Sequence, residues 1–471
     1  MSTVSGVGRP PKVGMISLGC AKNLVDAEIM LGTAREEGFE ITGDAGEADL
    51  LVVNTCGFID SAKQESIEAI LGARRHAGQK LIVSGCLTQR YRQELARELP
   101  EVDAFIGLDE VANAGEIFLQ VLGSEANSPT LLISDRSRYI PDYTTPRYRL
   151  TPGHLAYVKI AEGCNHPCSF CVIPQMRGRH RSRTVSSVAA EVRNLIAEGV
   201  KEINLISQDT TYFGMDLWAE KAGPRQPADP RRGLTLIHLL DELASIEGEF
   251  WIRLLYTHPA HWSDDLIRAI AGNPKIARYV DMPLQHIHGE MLSAMRRETS
   301  REHIEDLILR LRAGIPGLAI RTTFIVGFPG ETEAHFSSLM DFIEEIRFER
   351  LGVFCYSREE GSRAAKMPDQ IPAKVKQRRH REAMKLQQRI ASELAKAQEG
   401  SCLRVLVDQP RIARTEHDAP EVDCRVVLEH NAPVGKFIDV RVSGSQVYDL
   451  TAEPVLERLG GSRSPAGHRF R

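Results

Sequence analysis

Long apolar runs are missing from this sequence of 471 residues. No stretch approaches the roughly 18 apolar residues that a helix needs to cross a bilayer. The amino-terminal segment MSTVSGVGRPPKVGM also lacks the apolar core of a secretory signal. We therefore expect a cytoplasmic chain that does not span a membrane.

A strong charge of one sign is missing too. The 59 basic and 63 acidic side chains give a net charge of −4, whereas proteins that hold nucleic acid over a broad surface are usually basic. We therefore do not expect RNA contact to be the main determinant of binding. The composition, with 26% charged and 42% hydrophobic residues, is typical of a globular protein. The length predicts about two to four domains.

The third feature that the sequence lacks is an even number of cysteines. The chain has nine cysteines, and an odd number without an export signal argues against a disulfide framework. Thiols in a reducing compartment serve as metal ligands or as small hydrophobic side chains. The positions of the cysteines therefore decide which use applies.

Three of the cysteines lie in one short run, EGCNHPCSFCVIPQMRGR, with the spacing CxxxCxxC. Three thiolates hold three irons of a cubane 4Fe–4S cluster and leave the fourth iron open, whereas ferredoxin runs supply four cysteines. The alternative is a partial zinc site or three unrelated thiols, but zinc sites usually combine two CxxC units or mix Cys with His. The run therefore predicts a cluster that takes part in chemistry. Its ligands are Cys164, Cys168 and Cys171, which we call the loop triad.

Three further cysteines each follow an apolar run in the first part of the chain. The runs are VGMISLG, ADLLVVNT and QKLIVSG, and the cysteines are Cys20, Cys56 and Cys86, which we call the strand-end triad. Buried strands that alternate with helices predict a doubly wound parallel sheet over residues 12–125. The carboxyl ends of such strands share one edge, where ligands bind. The pattern predicts a second cluster with three protein ligands, the alternative being three buried cysteines that act as small hydrophobic residues.

Two local patterns predict helices within this first domain. Ser61 and Gln64 have the spacing of a capping box. Apolar residues recur every fourth position after the third strand, which predicts one face of a single helix. The recurring residues are Leu87, Tyr91, Leu95 and Leu99.

The middle of the chain predicts a second α/β domain. Residues 126–149 have no hydrophobic period and are interpreted as a linker. Residues 150–385 contain six strand-like runs separated by helical segments: LAYVKIA, EINLIS, FWIRLLY, RYVDMPL, AIRTTFIVGF and RLGVFCY. This pattern predicts an incomplete TIM-like (βα)6 barrel with its active site at the carboxyl ends of the strands. The loop triad follows the first of these strands, as that rule requires.

The role of two polar groups in this domain stays open at this point. A basic run after the loop triad is either a solvated face or a grip for a carboxylate or phosphate. His286 and His288 are candidates for general bases or for hydrogen-bonded structural residues. The basic run consists of Arg177, Arg179, Arg181 and Arg183.

The last part of the chain predicts a long polar helix over residues 374–398 and then a small β-barrel. The runs CLRVLVD, CRVVLEH, KFIDVRVSG and QVYDLTAEPV indicate a five-stranded, OB-like barrel over residues 395–460. From Ser401 to Arg458, ten acidic and seven basic residues give a charge of −3. Such a barrel neutralises few phosphates and suits a basic protein partner, unless it only caps the barrel domain. We expect residues 461–471 to be disordered.

The CxxxCxxC spacing resembles the signature of radical S-adenosylmethionine (SAM) enzymes. The full domain order, from about Lys12 to Arg458, is similar to that of the methylthiotransferase family, in which the last domain is a TRAM β-barrel. Several segments resemble the protein-modifying branch of that family rather than the tRNA-modifying branch: SLGCAKNLVDAE, CGFIDSAKQES, CNHPCSFCVIPQMRGR, ISQDTTYFG and DMPLQH.

The resemblance implies two 4Fe–4S clusters, one on each triad, and SAM as cofactors. SAM cleaved at the loop-triad cluster yields a radical that removes hydrogen from the substrate, and the strand-end cluster carries the sulfur that is inserted. The implied substrate is the β-carbon of an aspartate in protein twelve of the small ribosomal subunit, with a tRNA adenosine as the alternative. A flavodoxin- or ferredoxin-type reductant is the implied partner. The candidate cofactor-binding residues are Phe170, Gln208, Arg253 and Gly327.

Overall fold

A computed structural model describes residues 9–125 and 128–455 of the chain. The chain divides into two compact units, with the division after Ile390. Within the described ranges, no helix is both long and apolar enough to cross a membrane. The predicted combination of α/β sheets and a small β-barrel is confirmed.

The first unit begins with a six-stranded parallel sheet in the order β2-β1-β3-β4-β5-β6. Its central strand β3 is buried along its whole length, because helices follow the strands and cover the sheet. The chain order reverses between β1 and β3, which is the topological switch point of a doubly wound sheet. The strands are β1 Lys12–Ser17, β2 Glu40–Thr42, β3 Leu50–Thr55, β4 Lys80–Gly85, β5 Ala104–Ile106 and β6 Thr130–Leu132. The helices are α1 Ala21–Glu36, α2 Asp60–Leu71, α3 Cys86–Arg90, α4 Arg92–Glu98 and α5 Ala114–Leu122.

Three local features differ from the sequence-based expectation. Helix α2 already begins at Asp60 after Ile59, so Ser61 lies inside the first turn and the predicted capping box does not form. The four-residue repeat is shared between α3 and α4, which are separated at Tyr91, although its leucines are buried. Strand β6 pairs with β5 and lies in the segment interpreted as a linker.

A second six-stranded parallel sheet completes this unit, in the order β7-β10-β11-β12-β13-β14. It is open between β7 and β14, as an incomplete barrel requires, and each sheet strand pairs in parallel with the next. The strands are β7 Leu155–Lys159, β8 Ala161–Glu162, β9 Arg181–Ser182, β10 Glu202–Ile206, β11 Trp251–Leu254, β12 Ile276–Asp281, β13 Ala319–Val326 and β14 Arg350–Cys355. The helices are α6 Ile173–Arg177, α7 Val185–Ala197, α8 Leu236–Ala244, α9 Asp264–Gly272, α10 Gly289–Met295, α11 Arg301–Gly314 and α12 Glu333–Ile346.

The second unit is a closed barrel of five strands in the order β15-β16-β17-β19-β18, which confirms the predicted small barrel. Alternate apolar residues such as Val405, Val407 and Val440 fill its core. The preceding helix, α13 Ala373–Lys396, includes the point of division between the units. The strands are β15 Cys402–Gln409, β16 Ile412–Thr415, β17 Val426–Leu428, β18 Phe437–Gln446 and β19 Asp449–Pro454. The tail 461–471 lies outside the described residues.

Candidate active site

The strand-end triad gathers at one edge of the first sheet. Cys56 and Cys86 directly follow the last residues of β3 and β4, and Cys20 lies just beyond the end of β1. Because β3 pairs with both β1 and β4, the three cysteines follow three adjacent strands. A Cβ atom at Gly19, which has φ +91°, would lie 3.2 Å from Sγ of Cys56. The loop of Cys20 therefore touches that of Cys56, and only glycine fits this approach.

The electrostatics of the strand-end triad also show that its members are neighbours. Burial raises the pKa of Cys86 to about 12, and negative charge on Cys20 and Cys56 adds to the shift. Burial and the charge of Cys20 raise the pKa of Cys56 in the same way. Cys20 remains accessible to solvent although protein atoms surround it densely; desolvation opposes ionisation there, but Lys22 and Arg177 lower its pKa. Three neighbouring thiols whose charges oppose one another suit a metal cluster, because a metal binds the thiolate form and compensates its charge.

The loop triad lies in a loop that starts after β8 and ends at β9, and these two short strands pair with each other. Each sulfur accepts a hydrogen bond: Cys164 from the His166 backbone N–H (3.5 Å), Cys171 from that of Ile173 (3.4 Å) and Cys168 from Arg297 (3.6 Å). Such donors stabilise negative charge on cluster sulfurs.

Burial raises the pKa of Cys171 to about 12, and the charge of Cys168 raises it further. The pKa of Cys164 is likewise well above its usual value because of burial and the charges of its two partners. The three thiols are therefore near enough to influence one another's ionisation.

A buried network of histidines fixes the loop triad to the carboxyl ends of β10 and β11. His166 Nε2 lies 2.7 Å from Asp209 Oδ2, and its Nδ1 lies 3.2 Å from Glu298. Burial opposes protonation, but these carboxylates raise the pKa of His166 to about 9. The His166 ring stacks on His258 with centroids 3.7 Å apart, and His261 Nε2 lies 3.2 Å from His166 Nε2. The segments SQDTTYFG and THPAHW therefore meet the cysteine loop, as the barrel topology predicts.

Arg177 connects the two triads. It ends α6, which begins shortly after Cys171, and it donates to Asn23 Oδ1 (2.7 Å) and Asp26 Oδ2 (3.1 Å) in α1 and to Glu162 Oε1 (3.0 Å). The Cys86 thiol also approaches Asn23 Oδ1, at 3.6 Å. Against the effect of burial, the charge of Arg177 lowers the pKa of every strand-end thiol. One side chain from the loop-triad segment thus contacts the strand-end site.

Two of the predicted cofactor-binding residues lie in the barrel mouth next to this network. Phe170 is partly buried and packs against an apolar cluster that includes Phe328 and Tyr356. Gln208, at the carboxyl end of β10, donates to Glu162 Oε1 at 2.6 Å. Their roles in binding SAM stay predictions.

The other two predicted residues have structural partners. Arg253 is completely buried, and its Nε donates to Glu202 Oε1 at 2.7 Å, at the beginning of β10. Gly327 follows β13 with φ +73°, and its backbone N–H donates to the buried Glu331. The structure places Arg253 inside the barrel and Gly327 at its carboxyl edge; contact of either with SAM stays a prediction.

The basic run that follows the loop triad does not behave as one group. Arg177 and Arg183 are buried, and Arg183 forms an ion pair with Glu191, whereas Arg179 is exposed. Neither alternative, a solvated face or a common anion grip, describes the whole run. His286 is buried and accepts from two backbone N–H groups, which favours the hydrogen-bonded alternative for it.

Several site residues were not recognised in the sequence. Three of them lie in α1 shortly after Cys20: Lys22, Asn23 and Asp26. Their position in the first two turns of the helix that follows a predicted cluster ligand is the one signal that the sequence offers. The contacts of Asp209, His258 and Arg297 depend on the folded, incomplete barrel and have no local signal.

The donor sets fit the cofactors that the sequence indicates. Each triad brings three thiols together at the carboxyl edge of a parallel sheet, and three thiolates suit a cubane cluster with one open iron. Within the part of the chain that the structure describes, the remaining cysteines join neither triad: Cys355 and Cys402 are exposed and Cys424 is buried.

Comparison with family models divides the chain into the same three parts. The uncharacterized protein family UPF0004 matches residues 12–107, the Radical SAM superfamily matches 158–343 and the TRAM domain matches 400–455. Among solved structures, the radical SAM methyltransferase TsrM from Kitasatospora setae is similar with TM-score 0.52 and 16% identity, covering 74% of this chain and 73% of that one. At this identity the likeness shows the fold alone.

Curated relatives match almost the whole chain. The ribosomal protein uS12 methylthiotransferase RimO of Opitutus terrae is 59% identical over 454 residues, which cover 94% of this chain and 96% of the relative. RimO of Akkermansia muciniphila is 55% identical over 94% of this chain and its own full length. The expected cofactors, two 4Fe–4S clusters and SAM, and the resemblance to the protein-modifying branch are thereby confirmed. The chain belongs to the RimO family of radical S-adenosylmethionine methylthiotransferases.

Proposed function

We propose that this protein adds a methylthio group to the β-carbon of an aspartate in ribosomal protein uS12, the twelfth protein of the small subunit. The names of the relatives at 59% and 55% identity support this substrate. A flavodoxin- or ferredoxin-type protein supplies the electrons, because radical SAM chemistry needs a low-potential donor. The acidic C-terminal barrel favours a basic protein surface over RNA.

The observation that carries the proposal is the connection of the two cysteine triads through Arg177. When bound, the loop-triad cluster and SAM supply a radical that removes hydrogen, and the strand-end cluster supplies sulfur. Arg177 ties α6 to α1 through Asn23 and Asp26, so the segments that carry the two triads cannot separate without breaking buried hydrogen bonds. A fixed separation is what a reaction with two centres requires.

Other side chains of this protein hold the loop triad in place. His166 donates to Asp209 and Glu298 as an imidazolium, which fixes the loop between Cys164 and Cys168. Arg297 donates to Cys168 Sγ (3.6 Å) and to the Pro283 carbonyl (2.6 Å). These contacts orient the three sulfurs before any cofactor binds, which is the main contribution that a protein makes to cofactor chemistry.

We propose three functional parts with the boundaries that the sequence gives: 12–125 for the strand-end cluster, 150–385 for the radical SAM barrel and 395–460 for the TRAM barrel. Residues 126–149 join the first two parts, and this joining segment contributes β6, which pairs with β5 of the first part.

The experiment that tests the function is mass spectrometry on cells that lack the gene, with uS12 and total tRNA nucleosides measured together. We expect loss of methylthio-aspartate from uS12 with tRNA unchanged. Restoration by the wild-type gene and not by a Cys56→Ala gene ties the product to the strand-end triad. Loss of a methylthio-adenosine with uS12 unchanged would contradict the proposed substrate.

A further inference from the structure

Lys22 is a buried cation that lies between the two halves of the first unit. It follows Cys20 in the first turn of α1, and its side chain is only 8% exposed. Its ammonium lies 3.1 Å from the centroid of the Tyr256 ring. Tyr256 follows β11 at the carboxyl edge of the barrel. A side chain from the strand-end site therefore reaches the mouth of the barrel.

The acidic groups around Lys22 are already neutralised by other cations. Asp281 accepts from Arg321 at 2.8 Å, and Glu162 accepts from Lys159 at 2.7 Å as well as from Arg177. Asp26 of α1 is likewise paired with Lys159 and Arg177. Throughout residues 9–125 and 128–455, no carboxylate forms an ion pair with the Lys22 ammonium, which lies over the face of the Tyr256 ring.

The residue whose ring lies beneath the ammonium has an unusual backbone conformation. Tyr256 has φ +62°, a region that residues other than glycine rarely adopt and that occurs often at functional sites. Its backbone N–H donates to Asp281 Oδ2 at 2.9 Å, and Asp281 is fixed in turn by Arg321. The platform for the Lys22 cation is therefore rigid, and a positive charge over an aromatic face remains available to an anion.

We propose that Lys22 binds the side-chain carboxylate of the substrate aspartate, an inference that rests on the proposed function. The reacting β-carbon is bonded directly to that carboxylate, so a contact with Lys22 fixes the carbon between the two cysteine triads. A desolvated ammonium gains much from a carboxylate and little from the neutral amide of asparagine. Lys22 is thus a specificity-determining residue that selects an acidic side chain.

The competing role for Lys22 is to stabilise the negative charge of Cys20, without any contact with the substrate. Its charge acts on the Cys20 thiol, but no hydrogen bond joins the ammonium to that sulfur within the described chain, and the cation lies over Tyr256 instead. A role confined to the strand-end cluster predicts altered cluster properties and unaltered substrate preference. The two roles therefore differ in a measurable way.

The test uses the holoenzyme with both clusters and compares wild type, Lys22→Met and the matched control Lys385→Met. Methionine keeps the length and the apolar stem of lysine without the charge, and Lys385 is exposed on α13. The first readout is the Kd for labelled uS12 and for uS12 in which the target aspartate is replaced by asparagine, measured by fluorescence anisotropy. The second is methylthio product, and iron and sulfide content is checked for every variant.

We expect wild type and Lys385→Met to bind the aspartate form about 30-fold more tightly than the asparagine form, as loss of one partner of a desolvated charge pair implies. Lys22→Met should bind the two forms within about 3-fold of each other, with normal iron and sulfide content. An unchanged preference in Lys22→Met, or no preference in wild type, overturns the role of Lys22. Absence of product from wild type with uS12 instead refutes the proposed function, and the inference falls with it.

Discussion

Replacement of Arg177 by methionine tests whether the buried charges between the two triads are balanced. Arg177 is 3% exposed and pairs with Asp26 and Glu162, and both carboxylates are also paired with Lys159. Two buried anions thus face two buried cations. Methionine removes one of the two paired cations and leaves Lys159 as the one ion-pair partner of both buried carboxylates.

The expected loss follows from this count. Removal of one partner from a buried ion pair costs about 3–5 kcal/mol, because the remaining charge stays desolvated. Asn23 also loses the donor to its side-chain oxygen, which adds about 1 kcal/mol. We therefore expect the cluster-free Arg177→Met protein to lose about 4–6 kcal/mol. In that background Glu162→Gln removes the surplus charge, and the coupling between the two substitutions should be about 1–3 kcal/mol.

Urea unfolding followed by tryptophan fluorescence measures this loss in the first structural unit, which contains Arg177. The chain has three tryptophans, Trp218, Trp251 and Trp262, and all three are buried in the first unit. A lower midpoint with an unchanged slope reports lost stability. The control is Arg179→Met, an exposed neighbour that should change stability by less than about 0.5 kcal/mol. A loss below about 1 kcal/mol for Arg177→Met would show that the charges are not desolvated and would refute the argument.

Four further outcomes are expected. Cys168→Ala should abolish SAM cleavage, whereas Cys56→Ala should retain cleavage and lose the methylthio product. Chromatography of 5′-deoxyadenosine measures cleavage, and mass spectrometry of uS12 measures the product. Methylthio product from Cys56→Ala would contradict the presence of two clusters. Glu331→Gln should weaken SAM binding in equilibrium dialysis, because Glu331 holds the Gly327 turn; unchanged affinity would remove Gly327 from the cofactor site. Desolvation opposes ionisation of Asp109, but hydrogen bonds from Ser134 and two backbone N–H groups lower its pKa. The contribution of Asp109 to stability is therefore present above about pH 3.9 and is lost as the pH falls through its lower folded pKa. Limited proteolysis of residues 134–139 should increase over that acidic range. In Asp109→Asn it should increase at neutral pH as well.

The parts of the site that follow from topology were predictable from the sequence. Parallel strands place their carboxyl ends on one edge, so a cysteine after each of three apolar runs was sufficient to bring Cys20, Cys56 and Cys86 together. The barrel rule located the loop triad in the same manner. Short elements were harder: β16 Ile412–Thr415 has only four residues and no apolar run of its own, although the closed barrel needs it between β15 and β17.

Local spacing failed where one residue decided the outcome. The S-x-x-Q pattern at Ser61 predicted a capped helix, but α2 starts at Asp60, whose carboxylate already lies in the first turn and favours the helix dipole there. The helix therefore gains its electrostatic stabilisation from Asp60. Ser61 lies inside the helix, so its hydroxyl does not cap the first backbone N–H groups. Patterns of three residues identify the presence of a helix more reliably than its first residue.

Charged residues near the clusters were the least predictable, and the reason is physical. Arg177 and Arg179 stand two positions apart in one basic run, yet one is buried among carboxylates and the other is exposed. Their difference comes from α1, which lies more than a hundred residues earlier and places Asn23 and Asp26 beside only one of them. Lys22 is likewise buried against a distant residue, because its ammonium lies over the ring of Tyr256. Side chains whose charge is compensated by distant segments carry no local signal, so the residues that couple the two triads appear only once both sheets are formed.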